Sequence, residues 1–246
     1  MILTPEWPAP PQVRAAFTLR SGGVSQAPYD SLNLGTRVGD AAEAVAENRR
    51  RVRKHLSLPG EPTWLHQVHG TNVLDLPASA AADTPADGAV CIRSDAVCAV
   101  QVADCMPVLF ADRAGTVVGA AHAGWRGLCA GILESTVHKM GAQTAHLLTW
   151  LGPAIGPDHF EVGDEVRAAF FAEDPGADAA FVANARGRWQ CDLYALARRR
   201  LARLGITAVY GGGWSTWADA RRFFSFRRDG VCGRMAALIW IEADRA

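Results

Sequence analysis

The sequence predicts an α/β (α+β) fold, read as a single domain over residues 1–246 and built on a mixed β-sheet. Three observations predict it. Short apolar runs bounded by turn residues outnumber the helical stretches. The segment Ala111-Asp112-Arg113-Ala114-Gly115 lies between two of these runs and suits a hairpin, which a purely parallel sheet does not contain. The chain is 49% hydrophobic and 20% charged over 246 residues, enough to bury a large core.

In chain order, residues 14–19 read as a strand ending at Gly22-Gly23, and residues 29–35 as an ordered loop carrying Ser31 and Asn33. Asp40 followed by Glu43 is close to a capping box, and Val45, Ala46, Val52 and Leu56 recur at helical spacing until Pro59-Gly60, so a helix is expected over residues 41–55. Arg49, Arg50, Arg51, Arg53 and Lys54 fall in its C-terminal half, where cations suit the helix dipole. Strands are expected at residues 73–76, 88–92, 96–102, 108–111 and 116–121, with residues 78–86 the most loop-like stretch. A helix over 128–140 and a strand over 145–151 follow, then helices over 163–173 and 192–204 and closing strands at 207–210 and 234–241.

The composition narrows the function. Lys plus Arg and Asp plus Glu are equal at 25 each, so no net field favours nucleic acid or an anionic membrane, and the expected ligand is small. No run approaches the roughly 18 apolar residues of a membrane span. The opening residues lack a basic region followed by an apolar stretch, so a cytoplasmic location is expected, and the six cysteines are expected as free thiols.

Three short stretches carry the chemistry: His66-Gln67-Val68-His69-Gly70, Ala103-Asp104-Cys105-Met106-Pro107 and His122-Ala123-Gly124-Trp125-Arg126-Gly127. His69, Cys105 and His122 offer two imidazoles and a thiolate, a donor set for Zn2+ or copper rather than Mg2+ or Ca2+. Three protein ligands leave a position for water or substrate, as catalytic zinc does. The hairpin puts Cys105 and His122 at the same end of neighbouring strands. Each residue also has a plainer reading: His69 as a loop histidine, Cys105 as a buried thiol, Asp104 as a turn former. His66 competes with His69 as a ligand.

At these residues the chain resembles the laccase-domain purine nucleoside phosphorylase family, which includes bacterial polyphenol oxidases and peptidoglycan editing factors. The matching stretches also include Phe17-Thr18-Leu19-Arg20-Ser21-Gly22-Gly23-Val24-Ser25, Ser31-Leu32-Asn33-Leu34, Val38-Gly39-Asp40, Gly152-Pro153-Ala154-Ile155-Gly156, Glu161-Val162-Gly163 and Phe223-Phe224-Ser225-Phe226-Arg227-Arg228. The resemblance implies mixed β-sheets sandwiched between helices, metal ligands at His69, Cys105 and His122, and phosphorolysis of adenosine, inosine, guanosine and methylthioadenosine with adenosine deamination beside it. Two departures stand out: Ser215-Thr216 where relatives carry Cys-Thr, and Cys232-Gly233-Arg234 where they carry Thr-Gly-Arg.

Zinc is the expected cofactor, with copper possible. Asp104, Cys105 and Arg126 are the catalytic candidates, Asp104 as acid/base or orienter of a metal-bound water. Arg20, Asn33, Arg126 and Arg227 are candidates for nucleoside and phosphate, the three arginines because a guanidinium can grip a phosphate with two hydrogen bonds. Trp125 and Phe17 are weaker candidates for stacking on a purine. A copper polyphenol oxidase is disfavoured, since seven histidines without paired His-x-His motifs are too few for several coppers and Met106 should face away from Cys105 in an extended chain. A metal-free cysteine hydrolase and a peptidoglycan editing factor remain the other readings. The sequence is silent on oligomeric state.

Overall fold

The computed structural model describes residues 1–77 and 84–243. The expected mixed sheet is two large sheets and a small one. One sheet has five strands, β1 (Ile2–Leu3), β2 (Val13–Thr18), β3 (Thr63–Trp64), β6 (Val97–Val102) and β14 (Met235–Ile241), in the order β1-β2-β14-β6-β3. The second has six, β4 (Val73–Leu76), β5 (Gly88–Cys91), β7 (Met106–Asp112), β8 (Val118–Ala123), β9 (Leu147–Leu151) and β13 (Ala208–Gly211), in the order β13-β9-β7-β8-β5-β4. Each mixes parallel and antiparallel pairs.

Alternation along the strands explains how the sheets stack. In β7, Leu109 and Ala111 join an apolar cluster with Phe17, Val100, Met235 and Ile239 of the other sheet, while Val108 and Phe110 face an outer cluster with Leu133, Val137 and Leu196. That outer face is covered by α3 (Ile132–Met140), α4 (Asp164–Glu173) and α5 (Leu193–Arg203). Helix α1 (Ala42–Leu56) covers the outside of the five-stranded sheet, with Val52 packed beside Ala99, Ala236 and Leu238. The result is helix, sheet, sheet, helix, as the resemblance implied.

Several expectations are corrected in detail. The helix expected over 128–140 is two, α2 (Trp125–Ala130) and α3, because Gly131 between them takes φ of 101°, a left-handed backbone that ends a helix at little cost to glycine. The capping box at α1 does not form: Ala41 is the N-cap, and Asp40 instead accepts hydrogen bonds from Ser25 Oγ and Asn33 Nδ2. A small sheet of β10 (Glu161–Val162), β11 (Phe181–Ala183) and β12 (Trp189–Cys191), too short to read as period-two runs, was not anticipated. Of the expected loop over 78–86, residues 78–83 lie outside the described residues; Pro85 pairs with His66 in an isolated bridge. The six cysteines are free, and among the described residues no helix is long and apolar enough to cross a membrane.

Candidate metal centre

The β7–β8 hairpin forms as its turn predicts, with Pro107 opposite His122 and Met106 opposite Ala123. Cys105, the residue before β7, and His122, near the end of β8, therefore meet at the open end. His69 arrives from the loop between β3 and β4 and takes φ of 62°, a left-handed conformation uncommon outside glycine. Three backbone N–H groups in that loop hold it there: Val68, Gly70 and His69 donate to the two carboxylate oxygens of Asp87 at 3.1, 2.7 and 2.9 Å.

The side-chain donor atoms of His69, Cys105 and His122 all lie within 4.8 Å of one another. Cys105 Sγ is 3.7 Å from His69 Nε2, close to the roughly 3.5 Å edge expected when sulfur and nitrogen ligands share one tetrahedral zinc. Asp87 Oδ1 lies 2.8 Å from His122 Nδ1; a carboxylate only accepts, so Nδ1 carries the proton and Nε2 is left for an ion. The residues present thus fit a metal, through His69, Cys105 and His122, with Asp87 as the outer partner that sequence reasoning missed. Asp87 is fully buried at the start of β5; its signal in the sequence was only an Asp-Gly pair 35 residues before His122.

Charge sharpens the fit. Burial would raise the Cys105 thiol, but the His122 and His69 imidazoles outweigh it and bring it down to about 6. Burial would lower His122, but Cys105 and Asp87 raise it to about 9. The Asp87 carboxyl sits below its usual range because His122 and the Gly70 and Val68 N–H groups overcome its burial.

A cavity of about 610 Å³ opens onto the three ligands. Of the residues expected to meet substrate, Arg126 lines it. The others do not. Arg20 donates to the carbonyls of Asp30 and Ala220 and pairs with the Asp30 carboxylate, bracing a loop. Asn33 is fully buried and joins Gly35, Asp40 and Arg234. Arg227 donates to the Glu161 carbonyl through Nη1 at 2.8 Å. Asp104, with φ of 94°, turns its carboxylate away from the cavity to accept from Thr216 Oγ1 at 2.6 Å and from Arg227 N at 2.7 Å. Met106 is fully buried in the outer cluster, His66 lines the cavity outside the ligand group, and Phe17 is fully buried. Among the described residues, the cavity wall carries three further arginines, Arg37, Arg49 and Arg234, and no Asp or Glu.

A family model described as multi-copper polyphenol oxidoreductase laccase matches residues 14–242. The chain belongs to this family. A Pseudomonas aeruginosa protein named purine nucleoside phosphorylase is 53% identical over 241 residues, covering 98% of each chain. The Escherichia coli purine nucleoside phosphorylase YfiH is 50% identical over 240 residues, again 98% of each. Among solved structures, a Neisseria meningitidis protein is 48% identical with a TM-score of 0.93, covering 98% of this chain and 99% of that one. Geobacillus stearothermophilus YlmD is 30% identical with a TM-score of 0.87 over 95% and 93% of the chains. Among the described residues, this member of the laccase family has one His/Cys/Asp/Glu group able to hold a metal, the His-Cys-His group.

Proposed function

We propose that this chain is a zinc-dependent purine nucleoside phosphorylase acting on adenosine, inosine, guanosine and methylthioadenosine, with adenosine deamination as a second reaction. The observation that carries the reading is a single cavity whose wall joins the His-Cys-His group to Arg126. The names of the relatives support the choice of substrate. The balanced net charge supports a small-molecule enzyme, acting on nucleoside and phosphate rather than on nucleic acid or membrane.

When bound, zinc at His69, Cys105 and His122 supplies Lewis acidity toward a substrate oxygen or a water. The chain's own groups supply the rest. Among the described residues Arg126 has no hydrogen-bond or ion-pair partner; its guanidinium carbon lies 4.5 Å from the centroid of the Trp125 ring. That leaves its N–H fork for phosphate. In phosphorolysis a phosphate oxygen attacks C1' of the ribose, the C1'–N9 bond breaks, and the purine leaves with the electron pair and takes a proton. Arg126 holds the anion in line and the arginine-lined wall disperses its charge. In deamination a water adds at C6 and ammonia leaves. One metal-dependent copper oxidation chemistry with several coppers finds no second donor group among the described residues.

The Cys105 thiol, brought down to about 6 beside His122, favours one second reading, a metal-free cysteine nucleophile. Chromatography of adenosine and inosine incubated with zinc-loaded protein, with and without phosphate, separates these. Phosphate-dependent free base and phosphate-independent inosine, both lost in Cys105→Ala and on chelation, are expected. Turnover that survives chelation selects the cysteine nucleophile, and no turnover by wild type overturns the purine reading.

A further inference from the structure

The cavity has metal donors and cations, but a purine also needs an aromatic face to lie on. Base-on-ring stacking is a large and sequence-tolerant source of affinity for nucleobases. The aromatic residues singled out from sequence do not provide it: Phe17 is in the core, and Trp125 is absent from the cavity wall and carries Arg126 over its ring. Two aromatic side chains other than histidine line the cavity, Trp64 and Phe226. Trp64 is the less exposed of the two, with the Arg49 guanidinium over one face at 4.1 Å and its Nε1 donating to Glu61. Phe226 is 55% exposed, an unusual position for a phenyl ring in a chain that buries its other phenylalanines except Phe171.

The surroundings of Phe226 are built. It opens α6 (Phe226–Asp229), whose N-cap Ser225 accepts from Arg228 N at 3.2 Å. Arg227 N, the next residue, donates to Asp104, the neighbour of the ligand Cys105. The ring is thus tied through one carboxylate to the segment that carries a metal ligand. Against one face of the ring lies Arg234, with its guanidinium carbon 5.7 Å from the ring centroid and Nη1 donating to the carbonyls of Cys232 and Gly233. Gly35 leaves the room: a Cβ there would stand 2.8 Å from Arg234 Cγ and 3.2 Å from its Cβ.

We infer that Phe226, backed by Arg234, is the platform on which the purine base stacks in this cavity. The inference rests on the purine reading above and deepens it, since an exposed ring gives the base a face to lie on and leaves the ribose and phosphate to the metal side. Asp104 and Gly35 act as positioning residues for it.

The test is steady-state kinetics on zinc-loaded protein, together with equilibrium dialysis of inosine, for Phe226→Ala, Phe226→Leu, Phe226→Trp and Gly35→Ala. Phe226→Ala should raise KM and the inosine Kd about 10- to 100-fold, the range of one lost stacking contact, with kcat within about threefold and zinc content unchanged. Phe226→Trp should restore binding; Phe226→Leu, apolar but without a π face, should not. Gly35→Ala should raise KM in the same direction by displacing Arg234. Unchanged KM in Phe226→Ala, or full binding by Phe226→Leu, overturns the platform while leaving the phosphorylase reading intact. A wild type that neither binds nor turns over any purine nucleoside overturns both.

Discussion

Asp87 Oδ1 stands 2.8 Å from His122 Nδ1, and the same carboxylate collects the N–H groups of Val68, His69 and Gly70. One buried aspartate therefore orients one ligand through its ring and another through its backbone. Such outer partners typically set metal affinity by about 10- to 100-fold. Asp87→Asn should show the upper part of that loss: an amide facing Nδ1 can donate, which moves the ring proton to Nε2 and blocks the ligand atom. Zinc competition against a chromophoric chelator measures it, and wild-type affinity in Asp87→Asn would remove Asp87 from this role.

The protonation states make metal binding pH-dependent. In the metal-free protein near neutral pH, Cys105, lowered to about 6, is already a thiolate, while His122, raised to about 9, still carries the proton that a metal must displace. Apparent zinc affinity should therefore rise about tenfold per pH unit from about 6 to about 9 and level off above. Below about 6 Cys105 must lose a proton too, and the slope should steepen. Alkylation of metal-free protein by iodoacetamide should inflect near 6 at Cys105; an inflection near 9 would contradict the pairing with His122.

Gly124 leaves the space in which two ligands meet. A Cβ at this position would lie 2.6 Å from His69 Cδ2 and 3.0 Å from Cys105 Sγ. Its backbone, φ −67° and ψ 159°, suits any residue, so the effect of Gly124→Ala is steric and local. Overpacking of this kind costs about 1–3 kcal/mol. Zinc affinity should fall by about tenfold or more while the circular dichroism spectrum stays that of the wild type.

Arg126→Ala separates the two proposed reactions. Hydrogen bonds to charged groups contribute about 1.5–3 kcal/mol, which corresponds to a rise of about 10- to 100-fold in KM for phosphate. Inosine formed from adenosine without phosphate should persist at close to the wild-type rate. Equal loss of both reactions would move Arg126 from phosphate binding to a general role.

Asp104 joins distant segments, accepting from Thr216 Oγ1 and Arg227 N in a left-handed backbone. Asp104→Ala should lower stability in urea by about 1–3 kcal/mol through the stranded donors. Asp104→Asn should be milder, because asparagine still accepts and tolerates the left-handed region. An acid/base role predicts the reverse pattern, lost turnover at unchanged stability in Asp104→Asn.

The candidate metal ligands were legible because their signal is local. The turn at residues 111–115 brings β7 and β8 side by side, so Cys105 and His122 had to meet at the hairpin's open end. The rest depended on contacts between distant segments. Arg20, Asn33 and Arg227 were candidates for nucleoside or phosphate; in the fold Arg20 donates to Ala220 O, Asn33 accepts from Arg234 N and Arg227 donates to Glu161 O. Arg49 read as a helix-dipole cation and instead stacks on Trp64 at the cavity wall.

By itself the sequence determined the mixed α/β class and the hairpin and singled out three candidate donor side chains, since periodicity, turn chemistry and ligand softness are properties of neighbouring residues; the layering was what the resemblance implied. Only the tertiary structure decided that Asp87 orients the histidines, that Asp104 bonds to Thr216 and Arg227 instead of facing the cavity, and that Phe226 and four arginines share its wall. The direction of a side chain depends on partners far along the chain: the Asp104 carboxylate meets its own 112 and 123 residues away.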